Sequence, residues 1–234
     1  MGRIQQIQSF STLDGPGSRC VIFLQGCPVG CIFCHNPDSW DGQKGMEIPI
    51  DELLRRIDRF RPFLPNPGLT ISGGEPLAQF EFTMELIRQA KTEGWHVALD
   101  TSGWGSPLHF EEAVRGADLV LFSIKHPLEP TRVSQLTVNE LEEKLAVLSR
   151  ATTPVWIRYV LIPSWTDGPE AAEGLKKAIS RIPSVEKVEI LPYNSLAQEK
   201  WKKLGWDSPL FYDDIRTDEA KVAEFERLLG MRSQ

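Results

Sequence analysis

Short apolar runs alternate with amphipathic stretches along the whole chain. Six runs rich in β-branched, aliphatic and aromatic residues read as buried strands: RCVIFLQ (19–25), LTISG (69–73), HVALDT (96–101), DLVLFSIK (118–125), VWIRYVLIP (155–163) and KVEILPY (187–193). Between them the period changes from two to 3.6. DELLRRIDRF puts Leu53, Leu54, Ile57 and Phe60 on one helical face, and FEFTMELIRQAKTEG does so with Phe82, Leu86 and Ala90 before a stopping Gly94. HFEEAVRG, NELEEKLAVLSR, AAEGLKKAISRI and DEAKVAEFERLLG supply four further helices. Alternating strands and helices are the pattern of βα units around a parallel sheet. Six units predict an incomplete (β/α)6 barrel, short of the eight that close one. Residues 126–136 and 194–216 lack either period and read as functional loops. With no repeat, low-complexity segment or linker, residues 1–234 are expected to form a single domain.

Composition narrows this only a little. A length of 234 residues suits one well-buried α/β domain, and 41% hydrophobic with 25% charged residues excludes disorder. A net charge of -6 argues against a surface that tracks phosphates, so nucleic acid is not expected as a partner. The opening MGRIQQIQSF has neither an apolar core nor a small-residue cleavage pattern, and no later run approaches the roughly 20 apolar residues of a membrane span. The expectation is a cytoplasmic protein, away from membranes, whose thiols stay reduced.

The cysteines change the picture more. Three of the four fall within GCPVGCIFCHN, as Cys27, Cys31 and Cys34 in a C-x3-C-x2-C spacing. A disulfide is a poor reading in a reducing compartment. Zinc would need Cys27, Cys31, Cys34 and His35 on one ion, yet structural zinc sites usually bring ligand pairs from separate segments, and neighbours such as Cys34 and His35 rarely face one centre. Cys20 lies seven extended residues before Cys27, about 23 Å away along the strand, and reads as a core thiol. Three thiolates without a fourth describe a 4Fe-4S cube with one iron left open. On the cysteines alone, a non-catalytic iron-sulfur carrier stays open as well.

In βα barrels chemistry gathers at the C-terminal ends of the strands. There this chain places the cysteine loop, then Ser72, Gly73, Gly74 and Glu75, then Asp100, Thr101 and Ser102, then Ser123 and Lys125, and finally Leu191, Pro192, Tyr193 and Asn194; the fifth strand carries Arg158 and Tyr159. SGGE by itself reads as a strand-to-helix turn, and Asp100 by itself as a strand-end cap. Lys125, after a nearly continuous apolar run, is expected to face the barrel mouth and bind a carboxylate. Arg158 in a buried-type strand needs a charged partner, so it is expected to point inward.

GRIQQIQSFSTLDGPGSR, FLQGCPVGCIFCHNPDSWD, TISGGEPL, LDTSGW, VWIRYVLIPSWTD and VEILPYNSLAQEKW, in this order, resemble the segments of the radical S-adenosylmethionine superfamily, and within it of pyruvate formate-lyase activating enzymes. The resemblance covers most of residues 2–201 and is weak beyond Trp201. It implies a radical SAM partial barrel whose Cys27, Cys31 and Cys34 hold one 4Fe-4S cluster. S-adenosylmethionine would chelate the open iron beside Phe33, Cys34, His35, Gly73, Gly74, Glu75, Asp100, Thr101, Ser102, Ser123, Lys125, Leu191 and Asn194. Bare glycine would let the backbone approach the methionine moiety, and Glu75 would meet its ammonium. Asp14, His35, Asn36 and Arg158 would lie on the substrate side. The implied reaction takes a Cα hydrogen from one glycine of a glycyl radical enzyme, with a flavodoxin or ferredoxin-type reductant and a monomeric activase. A radical enzyme acting on a small molecule, like a deazapurine synthase, is the alternative. Two positions depart from the pattern: the family reads Asp-Leu-Lys and Pro-Tyr-His where this chain has Ser123-Ile124-Lys125 and Pro192-Tyr193-Asn194. In the family that first Asp joins the counterparts of Asp100 and Thr101 around a monovalent cation. Here the cation site is expected to be weak at most, with Lys125 pairing with Asp100.

Overall fold

Among the described residues the sheet has eight strands, not six. In the computed structural model, which describes residues 1–211 and 215–231, the elements run β1 (Gly2–Ser11), β2 (Arg19–Leu24), β3 (Met46–Ile48), α1 (Ile50–Asp58), β4 (Gly68–Gly73), α2 (Phe80–Thr92), β5 (His96–Thr101), α3 (Pro107–Gly116), β6 (Leu119–Ser123), α4 (Val138–Leu148), β7 (Val155–Leu161), α5 (Pro169–Ser180), β8 (Val185–Pro192), α6 (Gln198–Lys203) and α7 (Glu219–Leu229). Their spatial order is β3-β1-β2-β4-β5-β6-β7-β8. From β2 to β8 every neighbouring pair is parallel, with Ile22 beside Ile71, Ile71 beside Leu99 and Phe122 beside Ile157. These six are the strands that the apolar runs predict. β3 and β8 are the two free edges, so the barrel stays open, as expected.

β1 and β3 are additions. They pair antiparallel at one edge, and β1 breaks register twice against β2, between Ile4 and Gln6 and between Gln8 and Ser11. Those breaks spoil the period-2 alternation that identifies a strand, which is why GRIQQIQSFS escapes a pattern reading. α6 is missed for another reason: six residues with only Trp201 buried cannot display a helical stripe. It lies in the expected loop 194–216, of which 212–214 fall outside the described residues. No described helix is long and apolar enough to cross a membrane.

Successive side chains on a strand point to opposite faces, and each parallel strand divides accordingly. Leu69, Ile71, Val97, Leu99, Val120, Phe122, Val155, Ile157 and Tyr159 join the main core against the helices. The other face carries Ala98, Leu119, Leu121 and Trp156, which form a small inner cluster, followed by the polar side chains of Ser72, Asp100, Ser123 and Arg158. The loop between β1 and β2 is tied to this inner side. Thr70 Oγ1 donates to Asp14 O at 2.6 Å, and the buried Arg19 donates to Thr70 Oγ1 at 2.7 Å, Leu69 O at 2.6 Å and His96 O at 2.9 Å. Burial lowers the Arg19 pKa to about 10, and Asp118 and Asp14 oppose the shift. Cys20 is fully buried in the main core, apart from the other three cysteines.

Candidate functional site

The cysteine loop leaves β2 and is held from all sides through its backbone. Gly26 N donates to Ser39 O at 2.7 Å and Cys27 N to Trp40 O at 3.2 Å, while Gln25 Nε2 donates to Asp38 O and Asp41 O, both at 2.9 Å. Loop 126–136 clamps the middle: Ile32 N donates to Val133 O at 3.0 Å and Gln135 N to Val29 O at 2.7 Å. The C-terminal segment clamps the end, with Trp201 Nε1 on Cys34 O at 2.8 Å and Ser208 Oγ on Ile32 O at 2.7 Å. Side chains of Cys27, Cys31 and Cys34 share one apolar nest with Val29, Phe33, Trp104 and Leu136.

The glycines at the end of β4 stand where they do for packing. A Cβ on Gly74 would lie 2.2 Å from Gly26 O, and one on Gly73, at φ +112°, would lie 2.2 Å from Leu24 N. The two strand ends are sewn together here, Gly74 N donating to Leu24 O at 2.8 Å and Glu75 N to Gly26 O at 2.9 Å. Close approach by the cysteine loop, rather than by a ligand alone, therefore requires glycine. Glu75 is tied into the fold as well. Its Oε1 accepts from Thr101 Oγ1 at 2.5 Å and Leu77 N at 3.1 Å, and its Oε2 from Ser102 N at 2.9 Å and Ser102 Oγ at 2.6 Å. A carboxylate offers about four lone-pair directions, and all are in use. Glu75 thus braces the end of β5 against that of β4 from the wall of the cavity described next. Burial pushes its pKa up, against the pull of these donors.

Above the strand ends lies an open cavity of about 360 Å³, a size typical of small-molecule sites. Of the expected residues, Asp14, the three cysteines, Phe33, His35, Asn36, Gly73, Gly74, Glu75, Asp100, Thr101, Ser102, Ser123, Lys125 and Arg158 line it. Leu191 and Asn194 do not; Leu191 is turned to solvent, and Asn194 reaches the rim only through its carbonyl, 3.2 Å from His35 Nε2. Asn36 sits at the same rim and accepts from Lys200 Nζ at 2.8 Å.

Arg158 does point inward, and it meets three carboxylates: Glu189 at 3.0 Å, Asp100 at 3.3 Å and Asp14 at 3.9 Å, besides Leu13 O. Burial works against its charge, but Asp100, Glu189 and Asp14 outweigh burial and raise its pKa. Asp100 also accepts from Ser72 Oγ at 2.7 Å. Arg158, not Lys125, is therefore the ion partner of Asp100. Sequence reasoning missed Glu189, although its place opposite Arg158 in the β7–β8 register is the signal that finds it. Trp40, Gln135 and Ser208 were missed too; they act through tertiary contacts with no local pattern.

Lys125 has no hydrogen-bond or ion-pair partner among the described residues. Its ammonium lies 5.8 Å from the centre of the Phe33 ring. Burial alone would lower its pKa, but the nearby Cys31, Asp100, Cys27 and Glu75 hold it above the ordinary lysine value. It is poised for an incoming anion. The thiols are shifted the other way. Burial pushes Cys27 up to about 12, with Glu75 adding to it, and Cys31 up to about 11, with Lys125 opposing; Cys34 is raised by burial as well.

Such thiols become thiolates only against strong positive charge, which is what an iron-sulfur core supplies. A single zinc fits worse. Tetrahedral zinc with bonds of about 2.3 Å needs its sulfurs roughly 3.8 Å apart. The His35 ring, the fourth ligand such a site would need, is turned to Asn194 O. Three thiols around one apolar nest, beside an open cavity with an unpaired ammonium, suit a larger cluster and a ligand bearing a carboxylate.

The pattern of the radical SAM superfamily matches residues 21–174. A pyruvate formate-lyase-activating enzyme from Clostridium pasteurianum is 39% identical, over 98% of this chain and 97% of that protein. One from Staphylococcus aureus is 37% identical, over 96% and 94%. Among solved structures, a radical SAM methyltransferase from Sphaerobacter thermophilus superposes with a TM-score of 0.64 at 21% identity, covering 93% of this chain and 65% of that one. A domain of a pyruvate-formate lyase-activating enzyme from Bacteroides vulgatus gives 0.54 at 21%, covering 71% and 97%. At such identities the structures attest the fold alone.

Proposed function

The chain belongs to the radical SAM superfamily, and from that premise we propose that it activates a glycyl radical enzyme of the pyruvate formate-lyase kind. The observation that carries this reading is the set of three clustered thiols on the wall of an open cavity that also holds the unpartnered Lys125 ammonium, in a chain related to pyruvate formate-lyase-activating enzymes over nearly its full length. When bound, a 4Fe-4S cluster and S-adenosylmethionine supply one-electron cleavage of a sulfonium and, from it, a carbon radical that can take a glycine Cα hydrogen.

The chain's own residues hold and orient. Cys27, Cys31 and Cys34 are the cluster ligands. Lys125 receives the ligand carboxylate, and Phe33 walls the same side of the cavity. Asp100, held by Ser72 and Arg158, adds negative potential that suits a sulfonium. Glu75 fixes Thr101 and Ser102, whose neighbours then keep one geometry through turnover. Asp14, His35 and Asn36 stand at the rim where a polypeptide enters. The sheet, open between β3 and β8, leaves room for a loop of another protein. The electron comes from a flavodoxin or ferredoxin-type donor, and the activase works as a monomer.

Electron paramagnetic resonance tests the reading. Mixed anaerobically with reductant, S-adenosylmethionine and an enzyme carrying a C-terminal glycine loop, the reconstituted protein should produce a stable glycyl radical signal. Release of 5'-deoxyadenosine that needs a small molecule and is indifferent to such an enzyme would favour a small-molecule substrate instead.

A further inference from the structure

Lys144 lies in α4 and is 1% exposed. An ammonium buried this deeply is costly unless it is paired. Its Nζ donates to Gly105 O at 2.8 Å, while its carboxylate contact, Glu143 at 3.4 Å, comes from the neighbouring residue, whose side chain is half exposed. The shorter bond of this buried charge therefore goes to a backbone carbonyl, and such charge-assisted bonds are about twice as strong as neutral ones. That carbonyl belongs to the turn that leaves β5. Gly103 and Gly105, at φ +74° and +89°, flank Trp104 there, and two glycines give a turn wide conformational freedom. Chain neighbours apart, no heavy atom would lie within 4 Å of a Cβ on Gly105, so packing does not fix the turn at that end. Lys144 grips it on both sides of the tryptophan: its ammonium holds Gly105 O, and its Cγ lies 3.0 Å from where a Cβ on Gly103 would stand.

What the turn presents is the half-buried ring of Trp104, which packs against Val29, Cys31 and Leu136, as do Cys27, Phe33 and Cys34. Leu136 directly precedes Thr137, whose side chain starts α4 in a capping box with Glu140. The chain entering α4 thus supplies one wall of the nest, and the helix itself supplies the lysine that pins another. We propose that Lys144 is a positioning residue: by holding the turn 103–105 it keeps Trp104 over the cysteine nest, where the ring shields the cluster from solvent. The proposal rests on the iron-sulfur reading of Cys27, Cys31 and Cys34. The apolar shell around a metal centre controls solvent access. A half-buried ring on a turn free to swing would leave that shell open, whereas a turn tied to a helix by a buried charge keeps it closed.

The test uses reconstituted full-length protein and reads the rate at which iron is lost to a chelator, alongside iron content and the anaerobic urea midpoint. Iron bound by the wild type establishes the underlying reading, and its absence would remove that reading and not only the role of Lys144. Lys144→Met keeps most of the apolar stem and deletes the donor. It should bind as much iron as the wild type but lose it about ten times faster. Its urea midpoint should hold or rise, because an apolar side chain replaces a buried charge. Trp104→Ala should show the same acceleration, and the double variant should be no faster than Trp104→Ala, since Lys144 acts through that ring. Glu143→Gln, which leaves the bond to Gly105 O in place, should match the wild type. A wild-type rate in Lys144→Met, a faster rate accompanied by a lower urea midpoint, or accelerations that multiply in the double variant would overturn the assignment. Should Lys144→Met hold no iron, fluorine NMR of the iron-free full chain labelled with fluorotryptophan decides: the Trp104 resonance, assigned by its loss in Trp104→Phe, should become more sensitive to exchange of water for heavy water in Lys144→Met, and an unchanged resonance refutes the role.

Discussion

Arg158 shows how far single residues can be read. That a guanidinium in a buried strand needs an acidic partner follows from desolvation alone. Which carboxylates answer it does not, because Asp14, Asp100 and Glu189 come from three separate segments. Their meeting has a consequence for cations. A guanidinium already occupies the space between these carboxylates, and Ser123 brings no further charge, so a hard monovalent ion finds few oxygen ligands there. S-adenosylmethionine should bind this protein with similar affinity in potassium, sodium and choline salts, and Ser123→Asp should introduce a dependence on the ion. Titration calorimetry in the three salts checks this; a severalfold weaker wild-type affinity in choline would contradict it.

At the scale of elements, loop 126–136 grips the cysteine loop at Val29 and Ile32. His126 organises its start: the buried ring accepts from Leu128 N at 3.2 Å and Glu129 N at 2.9 Å, both at Nδ1. Burial lowers the His126 pKa, Arg132 lowers it further, and Glu129 opposes. A histidine with a depressed folded pKa is held neutral by the fold. Its contribution is fully present above the unfolded value of about 6.5 and is lost as pH falls from there through the folded value, since the unfolded chain then binds the extra proton. Protonation would also fill the Nδ1 lone pair that the two amides need. His126→Asn keeps an acceptor near Nδ1 without a titrating ring. Urea unfolding at pH 7.5 and pH 5.5 should show a smaller acid loss of stability in the variant than in the wild type. His96, lowered by burial and by Arg19, adds an acid loss common to both proteins, so the comparison isolates His126.

At the scale of the whole molecule, the C-terminal segment returns to the site and helps to hold it together. It supplies Trp201, Ser208 and Leu210, which close the far side of the cysteine loop, where Trp201 packs on Trp40 and on Phe211. Trp201 is 4% exposed. Trp201→Ala should cost about 3–5 kcal/mol of stability, and it should also free Cys34 O, so reconstituted protein should lose iron to a chelator several times faster. Unfolding curves and chelator kinetics read the two effects separately; stability loss with unchanged iron release would confine Trp201 to packing.

The sequence by itself determined the six parallel strands, the helices between them, the three-cysteine loop and its position at a strand end, because each rests on local period or spacing. It also marked most of the residues that line the cavity, since strand-end positions converge in any βα barrel. Only the tertiary structure decided what those residues do to one another. It added the β1–β3 edge, whose register breaks hide its period. It turned Glu75 to brace β5, gave Asp100 to Arg158 and left Lys125 over the Phe33 ring, with no ion pair among the described residues. Those outcomes depend on which donors and charges lie within about 3 Å across distant segments, and hydrogen bonds and ion pairs at that range leave no periodic trace along the chain.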